Sequence, residues 1–156
     1  MDPVAHLQSG LLRGGCALGA AASRSKYYAG LMLEEIIVST DDRPGLLAEM
    51  GELLGHHGVN IETLAASNHH DRSVIHLVVD DGDETAEILA ANGFKVEGSR
   101  PVLTVTLDDR PGELGRYCRR LSKSGVSISS VYVVNRNGGE TELIFAVDNF
   151  EAATKA

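Results

Sequence analysis

The residues best suited to chemistry form the run Asp41-Asp42-Arg43-Pro44-Gly45-Leu46-Leu47, which follows a β-branched stretch and opens an apolar helical pattern. The first backbone N–H groups of a helix have no partner within it, and the helix dipole favours negative charge there. These groups can therefore hold a carboxylate. Asp41 and Asp42 can hold an ammonium group, and Gly45 has no Cβ to obstruct a ligand. The run can thus bind both ends of a free amino acid.

The same run returns later in the chain as Asp108-Asp109-Arg110-Pro111-Gly112-Glu113-Leu114. At the same separation, Gly125-Val126-Ser127-Ile128 corresponds to Gly58-Val59-Asn60-Ile61. Five identical residues followed by matched apolar positions indicate a duplicated module, because repeats at a fixed period mark repeated structural units.

Each copy predicts a strand, a helix and then two further strands. The β-branched runs at 36–40 and 102–107 predict the first strand of each copy. A helix is expected after each of these strands, and in the first copy Pro44 is expected at the first helical position. Apolar residues at helical spacing follow, and Gly58 and Gly125 are expected just past the helix ends. Second strands are predicted at 59–66 and 126–134, and third strands at 74–79 and 141–147.

A second helix at 83–91 and a short fourth strand at 94–97 complete the first copy. The order β-α-β-β-α-β predicts an α+β protein of two ferredoxin-like modules, each an antiparallel sheet with helices on one face. We expect a disordered or wrongly assigned lead at 1–33, a first module at 34–100 and a second at 101–156 that lacks its last strand. Modules this small bury little surface alone, so they are expected to share a sheet or a helical face.

The DxRPG turn between strand and helix, the Gly-Val-Asn-Ile stretch and the tandem copying resemble the ACT domain. The likeness is to small stand-alone bacterial and archaeal proteins of two ACT repeats. It implies a non-catalytic regulatory protein without a cofactor, homodimeric, that binds a free amino acid where two modules meet. By this resemblance the ligand contacts come from two stretches: Asp41, Asp42, Pro44, Gly45, Leu46 and Leu47, and then Asn60 and Ile61.

The second turn is expected to be a weaker site, formed by Asp108, Asp109, Gly112, Glu113, Leu114 and Ser127. Glu113 replaces Leu46, and its carboxylate would compete for the N–H groups that a ligand carboxylate needs. Ser127 replaces Asn60, and a hydroxyl offers fewer hydrogen-bonding groups than an amide.

An alternative is a regulatory subunit of an amino-acid biosynthetic enzyme. The stretch Gly58-Val59-Asn60-Ile61-Glu62-Thr63-Leu64 resembles the small subunit of acetolactate synthase. That family carries one leading ACT repeat, whereas the DDRPG run occurs twice here. The stand-alone sensor therefore ranks first, with an enzyme partner as the second interpretation.

Composition excludes several other classes. The formal net charge of −8 argues against binding to nucleic acid or to an anionic membrane. The third strands are aliphatic, whereas an RNA-binding sheet of the same topology needs stacking aromatic residues.

The six histidines have no cysteine or carboxylate at ligand spacing, which argues against a metal. No set of nucleophile, base and orienting group occurs, so no enzyme is predicted. The two cysteines show no pairing pattern, which favours the cytoplasm.

Overall fold

The computed structural model describes residues 32–156, so the predictions for the lead before them, including Cys16, lie outside the described residues. The strands are β1 (Glu34–Asp41), β2 (Thr63–His69), β3 (Arg72–Val79), β4 (Lys95–Asp108), β5 (Ile128–Asn137) and β6 (Glu140–Val147). The helices are α1 (Leu46–His56), α2 (Gly82–Ala91), α3 (Glu113–Lys123) and α4 (Phe150–Thr154). None of these helices is long and apolar enough to cross a membrane.

One antiparallel sheet of six strands runs in the order β2-β3-β1-β4-β6-β5. The first half of β4 pairs with β1 and its second half pairs with β6. The predicted α+β, ferredoxin-like pattern is therefore confirmed, and its arrangement is consistent with two modules. Where the sequence predicts two strands separated near residue 100, the structure has one, because pairing with β1 keeps the backbone extended from Gly98 to Pro101.

Two apolar cores lie between the sheet and the helices. The core under α1 and α2 contains buried side chains such as Ile36, Met50, Leu54 and Leu77. The core under α3 and α4 is built around Phe145, whose ring lies 5.0 Å from that of Tyr117. Each core therefore belongs to one half of the sheet.

A third apolar cluster joins the two halves. It consists of Leu33, Val78, Val102, Tyr132, Ile144 and Ala146. Side chains alternate between the faces of a strand, so Val78 faces away from the core that holds Leu77 and Val79. The two halves of the sheet therefore pack face to face, with the helices on the outer faces. The outermost strands, β2 and β5, approach each other. This packing gives the two halves of the sheet a shared apolar surface.

Glu35 lies at the centre of this junction and is fully buried. Its carboxylate accepts hydrogen bonds from Ser130 and Tyr132 on β5 and pairs with Arg100 at 2.6 Å and with His76 at 3.1 Å. Burial alone would raise the pKa of Glu35, but the hydrogen bonds, led by those from Ser130 and Tyr132, hold it below its ordinary value. The carboxylate therefore stays charged and connects three strands of one half to β5 of the other.

The helices α1 and α3 end at the predicted glycines, but the strands after them begin later than predicted. Gly58 and Gly125 have φ of 76° and 72°. The N–H groups of Val59 and Val126 donate back to Leu54 and to Leu121 in the last turn of each helix. Because these groups serve the helix end, they cannot join a ladder, and β2 and β5 start at Thr63 and Ile128.

Candidate functional site

The turn between β1 and α1 is built around a left-handed glycine. Gly45 has φ of 86° and precedes the first helical residue, Leu46. Pro44 therefore lies in the turn, and the prediction that it occupies the first helical position is wrong. The reversal at Gly45 separates the proline from the helix, and Gly112, with φ of 93°, does the same before α3. A side chain at either glycine would strain the backbone.

The helix N-terminus after Gly45 has backbone donors to offer. The N–H of Leu46 donates to Arg43 O at 3.3 Å, and that of Glu49 donates to Gly45 O at 2.9 Å. The N–H groups of Leu47 and Ala48 between them have no acceptor among the described residues. These two groups are the ones available to a carboxylate.

The two aspartates of the first turn have different surroundings. Asp42 accepts hydrogen bonds from Ser73 Oγ at 2.7 Å and from the amide of Asn68. Asp41 pairs instead with Arg72 at 3.3 Å. Because the carboxylate of Asp42 is held by two neutral donors, its negative charge is not neutralised and it can accept further bonds from an ammonium group.

A cavity of about 370 Å³, here named the first-turn cavity, opens between the start of α1 and strands β2 and β3. Its polar wall includes Asp42, Asn68 and Ser73, and its apolar wall includes Leu46, Ala66 and Ile75. Of the predicted contacts, Asp42, Gly45, Leu46 and Leu47 line this cavity. Sequence reasoning missed Ala66 and Ser73, because only the pairing of β2 with β3 brings them beside the turn.

The other predicted contacts of the first site do not line the cavity. These are Asp41, Pro44, Asn60 and Ile61. Asn60 and Ile61 follow the C-terminal end of α1, an eleven-residue helix about 16 Å long. They lie at the opposite end of the helix from the turn, and Asn60 hydrogen-bonds to Glu62 at 2.6 Å. Within one chain, the two halves of the predicted site are therefore not brought together.

A second cavity, here named the second-turn cavity, lies at the corresponding place on the other half and measures about 130 Å³. Its lining includes all the predicted turn residues, Asp108, Asp109, Gly112, Glu113 and Leu114, but not Ser127. Val133, paired with Leu143, takes the place of Ala66, and Arg136, paired with Thr141, takes the place of Asn68, which pairs with Ser73. Bulkier side chains on β5 thus accompany the smaller volume.

The carboxylate of Glu113 has different partners from those expected from the sequence. Its carboxylate pairs with Arg116 and, at 3.6 Å, with Arg110, and no side chain of the described part of the chain caps the N-terminus of α3. The hydrogen bond from Arg116 lowers the pKa of Glu113. The expected competition for backbone N–H groups is replaced by pairing with arginine, because two guanidinium groups lie within reach.

Ser73 and Thr141 occupy corresponding positions and differ in their bonding. Ser73 donates to Asp42, whereas the buried Thr141 Oγ1 has no hydrogen-bond partner among residues 32–156. We expect Ser73→Ala to lower the free energy of unfolding by about 1.5–3 kcal/mol, since a hydrogen bond to a charged group is lost. Thr141→Val keeps the shape and removes an unpaired hydroxyl, so it is expected to be neutral or stabilising. Urea unfolding of both variants measures these free energies. A greater loss of unfolding free energy in Thr141→Val than in Ser73→Ala would contradict the expectation.

No group of three or more histidine, cysteine, aspartate or glutamate side chains suited to a metal ion occurs between residues 32 and 156. Of the histidines in this range, His76 contacts Glu35 in the junction between the two halves.

Comparison with known proteins places this geometry in a family context. Residues 35–96 match the ACT domain family model. No curated protein matches the sequence. A protein from Bacteroides thetaiotaomicron of known crystal structure is 22% identical, with a TM-score of 0.69 over 80% of this chain and 86% of that one.

Two further solved structures share the fold. The regulatory subunit of aspartate kinase from Thermus thermophilus, in its ligand-free form, is 17% identical with a TM-score of 0.62, covering 80% of this chain and 89% of that one. The corresponding subunit from Thermus flavus is 19% identical with a TM-score of 0.59, covering 80% and 90%. These likenesses establish the fold across most of the described chain, and the match to the ACT domain family model covers residues 35–96.

Proposed function

We propose that this protein is a non-catalytic regulator of the cytoplasm, built of two ACT repeats, that binds a free amino acid in the first-turn cavity. The observation that carries the proposal is the separation of charges across that cavity. The N–H groups of Leu47 and Ala48, which have no acceptor among residues 32–156, lie at the helix N-terminus, and the carboxylate of Asp42 lies on the preceding turn. A zwitterion matches both, since its carboxylate meets N–H donors and its ammonium group meets a carboxylate.

The walls of the cavity restrict the ligand further. Leu46, Ala66 and Ile75 supply an apolar surface for a side chain, while Asn68 and Ser73 supply polar groups. A volume of about 370 Å³ accommodates a small metabolite and excludes a folded protein or a duplex. The second-turn cavity has about a third of this volume, so we assign it a weaker or purely structural role.

A screen of the standard amino acids by thermal shift tests the proposal. A ligand at 100 times its dissociation constant stabilises the folded state by about 2.7 kcal/mol. We expect one amino acid or a related group of them to raise the melting temperature, and Asp42→Asn to abolish this rise. Asp109→Asn, the same change at the corresponding position of the second turn, should retain it. A screen without any stabilising amino acid, or equal responses in both variants, would reject the proposal.

A regulatory subunit of a biosynthetic enzyme is the second candidate function. Two of the similar structures are regulatory subunits of aspartate kinase, and the stretch from Gly58 to Leu64 resembles the acetolactate synthase small subunit. This candidate predicts that the protein co-purifies from its native cell with a larger catalytic subunit. Recovery of the protein without a catalytic subunit favours the stand-alone sensor.

A further inference from the structure

Positive charge is concentrated on one helix of this acidic protein. The whole chain contains 14 lysines and arginines and has a formal net charge of −8. On α3 the cations are Arg116, Arg119, Arg120 and Lys123, and all of them are exposed. The only acidic residue of this helix is Glu113. The helix therefore presents a positively charged surface, here named the basic face and defined by these four cations.

An open groove of about 610 Å³ runs along the basic face. Its lining consists of the four cations together with Gly112 and Gly115. A Cβ built at Gly115 would meet no other atom within 4 Å, so the space between the cationic side chains is free. No apolar side chain of the described residues lines the groove. A ligand there is recognised by its charge and its hydrogen-bond acceptors.

The cations of the basic face are neighbours on the helix surface. Arg116 and Arg120 stand four residues apart, as do Arg119 and Lys123. Like charges at this spacing destabilise a helix. The helix dipole compensates Arg120 and Lys123 in the last turn, but it does not compensate the two arginines before them. The stability of the helix alone therefore does not account for this arrangement.

The fold does not require cations at these positions either. On α1, which occupies the corresponding place in the other half of the sheet, Glu49 and Glu52 stand at the positions of Arg116 and Arg119. The two helices have the same length and the same start after a left-handed glycine. Because they differ in charge, the basic face is a property of α3 and not of the fold.

Two guanidinium groups of the basic face are oriented by neighbours. Arg116 donates to Glu113 from Nε at 3.1 Å, and the guanidinium of Arg120 lies 4.9 Å from the centre of the Tyr117 ring. Arg119 and Lys123 make no ion pair with any of residues 32–156. The face thus combines two oriented guanidinium groups with two cations that are available to an anion.

This set of donors matches a chain of linked phosphate groups. A guanidinium group offers its N–H donors in a planar fork that fits two phosphate oxygens at once. The helix rises by about 10 Å from Arg116 to Lys123. A single phosphate cannot meet the cations at both ends of that distance, whereas linked phosphates carry charge and acceptor oxygens on each group.

We propose that the basic face binds a short chain of linked phosphates, either free or carried by a nucleotide, with Arg119 and Lys123 as its main contacts. The net charge of −8 repels a long polyanion that extends beyond the face, which limits the ligand to a small molecule. The protein then has a second ligand site, separate from the first-turn cavity. The proposal does not depend on binding of an amino acid.

Calorimetry on the full chain with inorganic triphosphate and with ATP, without magnesium or an amino acid, tests this site. Both compounds are expected to bind with similar affinity, because the groove contacts the phosphates and not the base. Arg119→Ala and Lys123→Ala should each weaken binding about tenfold or more, since a hydrogen bond between charged groups is lost. Arg119→Lys should bind more tightly than Arg119→Ala but less tightly than the wild type, because it keeps the charge and loses the fork.

Lys95→Ala is the matched control for Lys123→Ala. Lys95 is an exposed lysine on the part of β4 that belongs to the first half of the sheet, so its removal should leave the affinity unchanged. Citrate at the same ionic strength is the control for the ligand, and it should bind more weakly than triphosphate. Circular dichroism checks that each variant is folded, which the exposure of the substituted residues predicts.

Binding of triphosphate without ATP would identify the free phosphate chain as the ligand. Four results would overturn the proposal. These are no binding of either phosphate compound at millimolar concentration, binding of ATP alone, binding of citrate as tight as that of triphosphate, and affinities that Arg119→Ala and Lys123→Ala change no more than Lys95→Ala does.

Discussion

Replacing Glu35 by alanine is expected to lower the free energy of unfolding by about 3–5 kcal/mol, the range found when one member of a buried ion pair is removed. The side chain is fully buried, and its carboxylate accepts from Ser130 and Tyr132 while pairing with Arg100. Its loss leaves these donors unpaired at the junction between the two halves of the sheet. Unfolding in urea measures the effect.

Glu87→Ala is the matched control for that measurement. Glu87 lies exposed on α2, so its removal should change the free energy of unfolding by no more than about 0.5 kcal/mol. Similar losses for both variants would show that Glu35 does not hold the two halves together.

The same network makes the stability depend on pH. The pKa of Glu35 is lowered in the folded protein, against an ordinary value of 4.5. The contribution of Glu35 to the free energy of unfolding is therefore complete above pH 4.5. It is lost as the pH falls through the lower pKa of the folded protein. Because glutamine does not titrate, Glu35→Gln should lose less stability than the wild type over this acid range. Equal acid sensitivity of the two proteins would contradict this assignment.

The second large effect is expected from Ala66→Val, which tests the shape of the first-turn cavity. Ala66 lines this cavity, and the corresponding residue Val133 lines the second-turn cavity, which is smaller. Two added methyl groups occupy space that a ligand needs. An apolar group of this size changes binding by about 1–3 kcal/mol, so affinity for the stabilising amino acid should fall about tenfold or more.

Calorimetry with the amino acid that most stabilises the wild type measures this loss. Val133→Ala provides the control, because it enlarges the other cavity and should leave affinity at the first unchanged. Ala66 is exposed, so valine there should not disturb the core. Unchanged affinity in Ala66→Val would mean that the ligand does not occupy this cavity.

Much of the fold is predictable from the sequence because local signals agree with the tertiary structure. The glycines at 58 and 125 end their helices, as expected, because a left-handed residue is needed there. The junction at β4 is not predictable from local pattern. Whether residues 98–101 form a turn or a strand depends on their pairing with β1, more than fifty positions earlier. Long-range pairing therefore determines that β4 is one continuous strand.

The candidate site was predictable only in part for the same reason. The turn residues Asp42, Gly45 and Leu47 follow from their types and spacing. Ala66 and Ser73 enter the cavity through the pairing of β2 with β3, which no local motif indicates. Glu35 gave no signal of its burial, since glutamate at the start of a strand is usually solvated. Its partners Ser130 and Tyr132 lie on β5, in the other half of the sheet.

Backbone amide chemical shifts during titration with the best-stabilising amino acid test the central claim most directly. The N–H groups of Leu47 and Ala48 are the proposed carboxylate donors, so their resonances should shift with saturation at the calorimetric affinity. The corresponding amides of Leu114 and Gly115 should respond at much higher concentration or not at all. Saturating shifts confined to the second turn, or to neither turn, would contradict binding of the amino acid in the first-turn cavity.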